Sequence, residues 1–233
     1  MLLRLIEEKK PLDIVVFYDT GMEFKAIYNL RDKIKPLLKS KGIKFVELHP
    51  TEPFLYSMLE RRVKYRKKSG FHYGYEWCGG RCRWGTGEKL RVITNFKKSL
   101  NEDVTDYVGI AFDEPHRFDK AKTEGKELPL VQWKMTEADC LQYCYERGWY
   151  WIENTPAGEI ELYSILDRVS CWCCANKNLK ELKNIYLYLP QYWRRLRDLQ
   201  KKIQRPMKGF YKGQSRGIFE LESRFIAEEL NNK

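Results

Sequence analysis

Leu12-Asp-Ile-Val-Val-Phe-Tyr-Asp-Thr-Gly-Met-Glu-Phe24 is the stretch that decides the fold class of this chain. Residues 12–18 form a nearly unbroken apolar run, the pattern of a strand covered on both faces in a parallel sheet. The run ends in Asp19-Thr20-Gly21. Upstream, Leu2, Leu3, Leu5 and Ile6 read as the end of an amphipathic helix, closed by Pro11. Downstream, Phe24, Ile27, Tyr28, Leu30, Ile34 and Leu38 recur at helical spacing across 23–40, and Gly42 supplies the stop. Lys44-Phe-Val-Glu-Leu-His49 is the next strand. Helix, strand, helix, strand is α/β grammar with right-handed crossovers.

The same rules extend along the chain. Residues 53–60 read as a short helix, and 60–68 as a basic run with one aromatic, a solvated face or a phosphate contact. A helix runs through Lys89, Val92, Ile93 and Phe96. Tyr107-Val-Gly-Ile-Ala-Phe112 reads as a third strand, ending in Asp113-Glu114-Pro115. Residues 128–133 read as extended. Thr136-Glu-Ala-Asp139 is a capping-box variant that starts a helix to about Arg147. On it Cys140 and Cys144 lie one turn apart, beside Ala138 and Leu141, which favours packing. Residues 149–167 show no usable period. Two helices over 179–189 and 191–204 meet at Pro190, and the second carries Arg194, Arg195, Arg197, Lys201, Lys202 and Arg205. A last helix covers 219–230. The expected division is an α/β core over 1–165 and a cysteine motif with helical C-terminal region over 166–233.

The chemistry concentrates in two cysteine groups. Tyr75-Glu-Trp-Cys-Gly-Gly-Arg-Cys-Arg-Trp-Gly-Thr-Gly-Glu-Lys89 holds Cys78 and Cys82, and Cys171-Trp-Cys-Cys174 holds three more. In a helix Cys78 and Cys82 share a face; in a loop kept by Gly79 and Gly80, backbone amides can approach whatever the sulfurs hold. Four thiolates at one point favour a soft ion, zinc or an iron–sulfur cluster such as [4Fe–4S]. The expected ligands are Cys78, Cys82, Cys171 and Cys174, with Cys173 competing for the third place. The alternative is buried free thiols acting as small hydrophobes. A disulfide framework belongs to short secreted chains.

Composition narrows the class. The 233 residues are 43% hydrophobic, enough for one substantial core. No apolar run approaches the ~20 residues that span a bilayer. No secretory signal opens the sequence, so a cytoplasmic setting with reduced thiols and no membrane partner is expected. The net charge of +11 suits a polyanion, either a nucleotide or a nucleic acid.

Taken with Asp19-Thr-Gly-Met-Glu-Phe24, four further stretches resemble the phosphoadenosine phosphosulfate (PAPS) reductase family. They are Trp77-Cys-Gly-Gly-Arg-Cys-Arg-Trp-Gly-Thr86, Gly109-Ile-Ala-Phe-Asp-Glu-Pro115, Met135-Thr-Glu-Ala-Asp-Cys140 and Arg168-Val-Ser-Cys-Trp-Cys-Cys174. The family belongs to the adenine-nucleotide α-hydrolase-like folds. The resemblance implies a Rossmann-like, mostly parallel sheet flanked by helices, with an adenylyl nucleotide (PAPS, APS or ATP) at the carboxyl ends of its strands, as open α/β sheets generally bind ligands. It places Asp19, Thr20, Gly21, Asp113 and Glu114 at such ends, with turn chemistry as the alternative for the two aspartates. Arg81, Arg83 and Lys89 would neutralise phosphates. A thioredoxin-like reductant is the implied redox partner. Two family features are absent: the S-G-G-x-D-S phosphate loop and the C-terminal E-C-G-x-H segment. The implied sheet therefore lacks its first strand and loop, as in a truncated member. A nucleophilic thiol would come from Cys171, Cys173 or Cys174, with Cys173 the candidate. The implied function is sulfonucleotide or adenylyl-dependent sulfur chemistry, reduction or thiolation, by an oxidoreductase or sulfur transferase, with tRNA or DNA as a further partner class. The competing expectations are a non-catalytic nucleic-acid-binding module with structural zinc, and an inactive family member.

Overall fold

The computed structural model of the protein describes residues 1–80, 82–118 and 125–231, with Arg83 and Trp84 described by their backbone only. The chain is mixed α/β, with short two-stranded sheets of both parallel and antiparallel pairs among the described residues. It divides into two compact units, each discontinuous in sequence. The first is Met1–Phe17, Leu30–Val46 and Ile93–Tyr150; the second is Tyr18–Asn29, Glu47–Val92 and Trp151–Lys233. Residues on both sides of position 165 belong to the second unit.

The opening is as expected: α1 (Leu2–Glu7), β1 (Ile14–Tyr18), α2 (Lys25–Ser40) and β2 (Lys44–Leu48). β1 pairs with β2. The Lys44 amide donates to the Asp13 carbonyl and the Asp19 amide to the Leu48 carbonyl, each at 2.8 Å, so the strands run the same way. Then come α3 (Phe54–Leu59), a hairpin of β3 (Arg62–Lys64) and β4 (Phe71–Tyr73), a π-helical turn (Arg83–Gly87) and α4 (Glu88–Ser99). β5 (Asp106–Tyr107), β6 (Lys126–Glu127), α5 (Pro129–Gln132) and α6 (Glu137–Tyr145) follow. The rest is a hairpin of β7 (Ile152–Thr155) and β8 (Gly158–Glu161), then α7 (Leu179–Tyr188), α8 (Pro190–Lys202), a hairpin of β9 (Phe210–Tyr211) and β10 (Gln214–Ser215), and α9 (Ile218–Asn231).

Two expectations are corrected, and one unassigned stretch is identified. The strand over 107–112 is only β5, which pairs in parallel with β6. After the Val108 amide meets the Glu127 carbonyl the chain turns, with the Ile110 amide on the Val108 carbonyl at 3.0 Å. Ile110 and Ala111 reach the interior from a loop instead. Residues 129–132 form a helical turn where extended chain was expected, because Pro129 at the first helical position presets the backbone. The stretch over 149–167, which lacked a period, is the β7–β8 hairpin.

In the first unit, Glu7 of α1 is held by Arg147 at 2.6 Å and by the Tyr143 hydroxyl. The capping box of α6 forms as expected, Thr136 with Asp139. In the second unit, Leu182, Ile185, Leu189 and Leu196 are fully buried, with Phe24, Met58, Trp77 and Trp172 in the same core. Each aliphatic side chain so buried contributes about 1.5–3 kcal/mol. Asn178 and Glu181 cap α7 reciprocally. The start of α2 is capped from far along the chain: Glu153 of β7 accepts from the Ala26 amide and the Tyr192 hydroxyl, and that hydroxyl accepts from the Lys25 amide, each at 2.9 Å. These bonds satisfy amides that a helix N-terminus leaves without partners. They also fix the chain immediately after Asp19–Phe24.

Candidate thiol site

The site lies in the second unit, where β1 ends. The Asp19 carboxylate folds back on its own turn and accepts from the Gly21 amide at 2.7 Å and from the Tyr28 hydroxyl at 2.8 Å. Gly21 sits at φ +74°, a left-handed conformation that glycine adopts without cost. The Thr20 hydroxyl donates to Glu23 at 2.8 Å and accepts from the Met22 amide at 3.1 Å. The Gly21 and Met22 amides are thus satisfied within the turn, by Asp19 and Thr20.

The turn meets the second cysteine group. Thr20 Oγ1 and Glu23 Oε1 each lie 3.6 Å from Cys171 Sγ, and the Trp172 amide donates to the Met22 carbonyl at 3.0 Å. The first cysteine group is clamped to the same segment. The Gly80 amide donates to Asn176 Oδ1 at 2.7 Å, and Asn176 Nδ2 returns a bond to the Gly80 carbonyl at 2.8 Å. Three stretches far apart in sequence, 19–24, 78–82 and 171–176, are therefore joined by hydrogen bonds. The thiols of Cys78, Cys82, Cys171 and Cys173 pack on one core.

The local chemistry suits sulfur ligands. Cys82 Sγ accepts from the Gly85 amide at 3.2 Å. A Cβ at position 85 would stand 2.9 Å from that sulfur, so glycine is required for the approach. Burial pushes the Cys82 thiol up, and burial together with the Glu23 carboxylate pushes Cys171 up further. Both are protonated at neutral pH until something binds the sulfur. Burial likewise holds Cys173 well above the ordinary thiol range. It is 2% exposed, so Cys173 packs in the core and is poorly placed for attack on a substrate. Two ammonium groups hold the 168–177 segment. Lys177 Nζ donates to the Arg168 carbonyl at 3.3 Å, and Lys208 Nζ donates to the Ala175 and Lys177 carbonyls at 2.8 Å. Burial lowers the pKa of both lysines.

Among the described residues, no three cysteine sulfurs lie within 4.8 Å of one another. The sulfurs share one region without the ~3.8 Å spacing that a tetrahedron of about 2.3 Å zinc–sulfur bonds imposes. Three buried polar atoms nearby have no hydrogen-bond partner: the Tyr18 hydroxyl, and the indole nitrogens of Trp77, beside Cys78, and Trp172, beside Cys171. Buried donors are ordinarily paired, and their concentration at the two cysteine segments fits a site that takes a further group. Burial, reinforced by Glu88, raises the Tyr18 phenol to about 12.

The other expected site residues fall elsewhere. Lys89 is exposed on α4 with no carboxylate partner among the described residues. Arg81 lies outside the described residues, as does the side chain of Arg83. Asp113 and Glu114 belong to the first unit. Asp113 accepts from the Glu137 amide at 3.2 Å, supplementing the cap of α6, and Glu114 pairs with Arg117. Sequence reasoning missed Glu23, Asn176 and the group Asp19, Glu47 and His49, whose ligand atoms lie within 4.8 Å of one another. Glu23 stood within the quoted Asp19–Phe24 stretch, and Glu47 and His49 stood at the end of an expected strand. Asn176 carried no signal beyond its nearness to Cys174. No helix among the described residues is long and apolar enough to cross a membrane. No family model matches the chain, and no curated protein or solved structure matches it.

Proposed function

We propose that the second unit performs sulfur chemistry on an adenylyl nucleotide, as a relative of the PAPS reductases on a Rossmann-like plan. Cys78, Cys82, Cys171 and Cys174 hold zinc or a [4Fe–4S] cluster. The observation that carries the proposal is the meeting of Cys171 with Thr20 and Glu23 at the carboxyl end of β1, where open α/β sheets take their ligands. The bound centre would supply Lewis acidity as zinc, or electrons as a cluster. The chain's own residues do the rest. Glu23 is placed to take the Cys171 proton when the sulfur is bound, since thiols bind metals as thiolates and release protons. Thr20 keeps Glu23 aimed at that sulfur. Because the Gly21 and Met22 amides are occupied, phosphate charge falls to cations such as Lys89, with Arg81 and Arg83 nearby in sequence.

Anaerobic purification followed by metal analysis and absorption spectroscopy tests the centre. The expected result is zinc or iron at a fixed ratio to protein, lost in Cys78→Ser and Cys171→Ser. Calorimetry with PAPS, APS and ATP tests the substrate class. Metal-free protein that binds none of the three overturns the proposal.

A further inference from the structure

We propose that the exposed face of the β3–β4 hairpin binds single-stranded nucleic acid. The register pairs Arg62 with Tyr73, Val63 with His72 and Lys64 with Phe71. Side chains alternate across a strand. Arg62, Lys64, Phe71 and Tyr73 therefore share one face, and all four are exposed, whereas Val63 and His72 are half-buried on the other. Tyr73 is 69% exposed and Phe71 48%. The Arg62 guanidinium lies 3.8 Å from the Phe71 ring centre. The turn adds Arg66, Lys67 and Lys68, all exposed. Among the described residues no carboxylate pairs with any of these five cations, although neighbouring Arg61 is paired with Glu52 at 2.9 Å.

The chemistry selects the partner. Unpaired cations attract a polyanion, and exposed rings give its bases a surface to stack on. Phe71 and Tyr73 stand two residues apart, about 7 Å along the strand, so successive unstacked bases can each meet a ring. Each ring faces a cation across the ladder, which puts phosphate neutralisation beside base stacking. A duplex hides its base faces and would use only the cations.

The hairpin is also held firmly. At its base the Gly74 amide donates to the Arg61 carbonyl at 2.7 Å, the Tyr75 amide to Ser57 at 3.0 Å and the Glu76 amide to Met58 at 2.9 Å. Gly74 lies at φ +68°, and a Cβ there would sit 2.2 Å from the Met58 carbonyl. On the inner face, Tyr65 is braced by His72 at 5.1 Å and by Lys68 at 4.2 Å. The platform is built before a ligand arrives, which lowers the ordering cost of binding.

Fluorescence anisotropy on the full chain tests this with labelled single-stranded RNA, single-stranded DNA and duplex DNA of equal length, alongside phosphatidylglycerol vesicles. Single strands should bind more tightly than duplex or vesicles, and the preferred sugar identifies the natural strand. The double variant Phe71→Ala, Tyr73→Ala should lose about tenfold or more in affinity with its salt slope unchanged. Arg62→Glu with Lys64→Glu should flatten the salt slope by about 0.7 for each phosphate no longer neutralised. Phe71→Tyr with Tyr73→Phe, which keeps both rings, should bind like the parent. All variants should match the parent by circular dichroism and keep every cysteine, so metal content is scored separately and failure of the thiol centre does not affect the outcome. Duplex or vesicle binding equal to that of single strands overturns the proposal, as does an aromatic double variant with parental affinity or no binding at all.

Discussion

Two stretches of this chain look alike in sequence and differ in structure. Ile14–Tyr18 and Tyr107–Phe112 are both apolar runs, and both end in an acidic turn, Asp19-Thr20-Gly21 and Asp113-Glu114-Pro115. The first becomes a five-residue strand whose turn is tied to a distant cysteine. The second stops pairing after β5, and its aspartate supplements the cap of the next helix. An acid after an apolar run marks a place where a strand can end. Whether that end is a site depends on what the rest of the fold brings to it. At the Asp19–Glu23 turn the fold brings Cys171 against Thr20 and Glu23. At Asp113 it brings only the start of α6, through the Glu137 amide.

Substituting the two aspartates tests this difference most directly. Asp19→Ala leaves the Tyr28 hydroxyl and Gly21 amide without their acceptor in a largely buried setting, at a cost of about 2–3 kcal/mol. Asp113→Ala should cost about 0.5 kcal/mol, because Thr136 already caps α6. Urea denaturation of both variants measures the gap, and equal losses would break the comparison.

Asn176→Ala should cost about 1 kcal/mol by removing both bonds to Gly80. It should also lower the metal bound per chain, measured after anaerobic purification. Unchanged metal content would mean that the clamp does not organise the thiols. Thr20→Val removes the hydroxyl between Glu23 and Cys171, and a loss of about 0.5–1 kcal/mol is expected in thermal melts.

The smallest effects concern pH, where the two units should show opposite signs. Hydrogen bonds from Arg147 and Tyr143 hold Glu7 below its ordinary value of 4.5. Its contribution is present above pH 4.5 and is lost as pH falls through the folded pKa. Burial raises Glu153 above 4.5, so its contribution is present below that pH and is lost as pH rises through its folded pKa. Glu7→Gln should therefore be more damaging at about pH 7 than at about pH 3.5, and Glu153→Gln the reverse. Parallel titrations with the same trend in both variants would show that the two environments do not differ in this way.

Local elements were legible in the sequence because their causes are local. The apolar run of β1, the periodicity of α2, the capping box at Thr136 and the helices that meet at Pro190 each depend on residues within one or two turns. The two cysteine groups stood out in the sequence by composition, and the fold joins their segments through Gly80 and Asn176. Pairing was not legible. β5 is short because Val108 is the last residue to find a partner on β6, and hydrogen-bond partners from distant segments leave no periodic trace. The cap of α2 by Glu153 and the clamp of Gly80 by Asn176 join residues 127 and 96 positions apart. The basic run at 60–68 read as a solvated face or a phosphate contact, and only the register shows that Phe71 and Tyr73 stand beside Lys64 and Arg62. The sequence by itself determined the longer helices and where the thiols and cations lie along the chain. Tertiary structure decided which of them meet, because a hydrogen bond or thiol contact needs atoms within a few ångströms, and sequence distance does not set that separation.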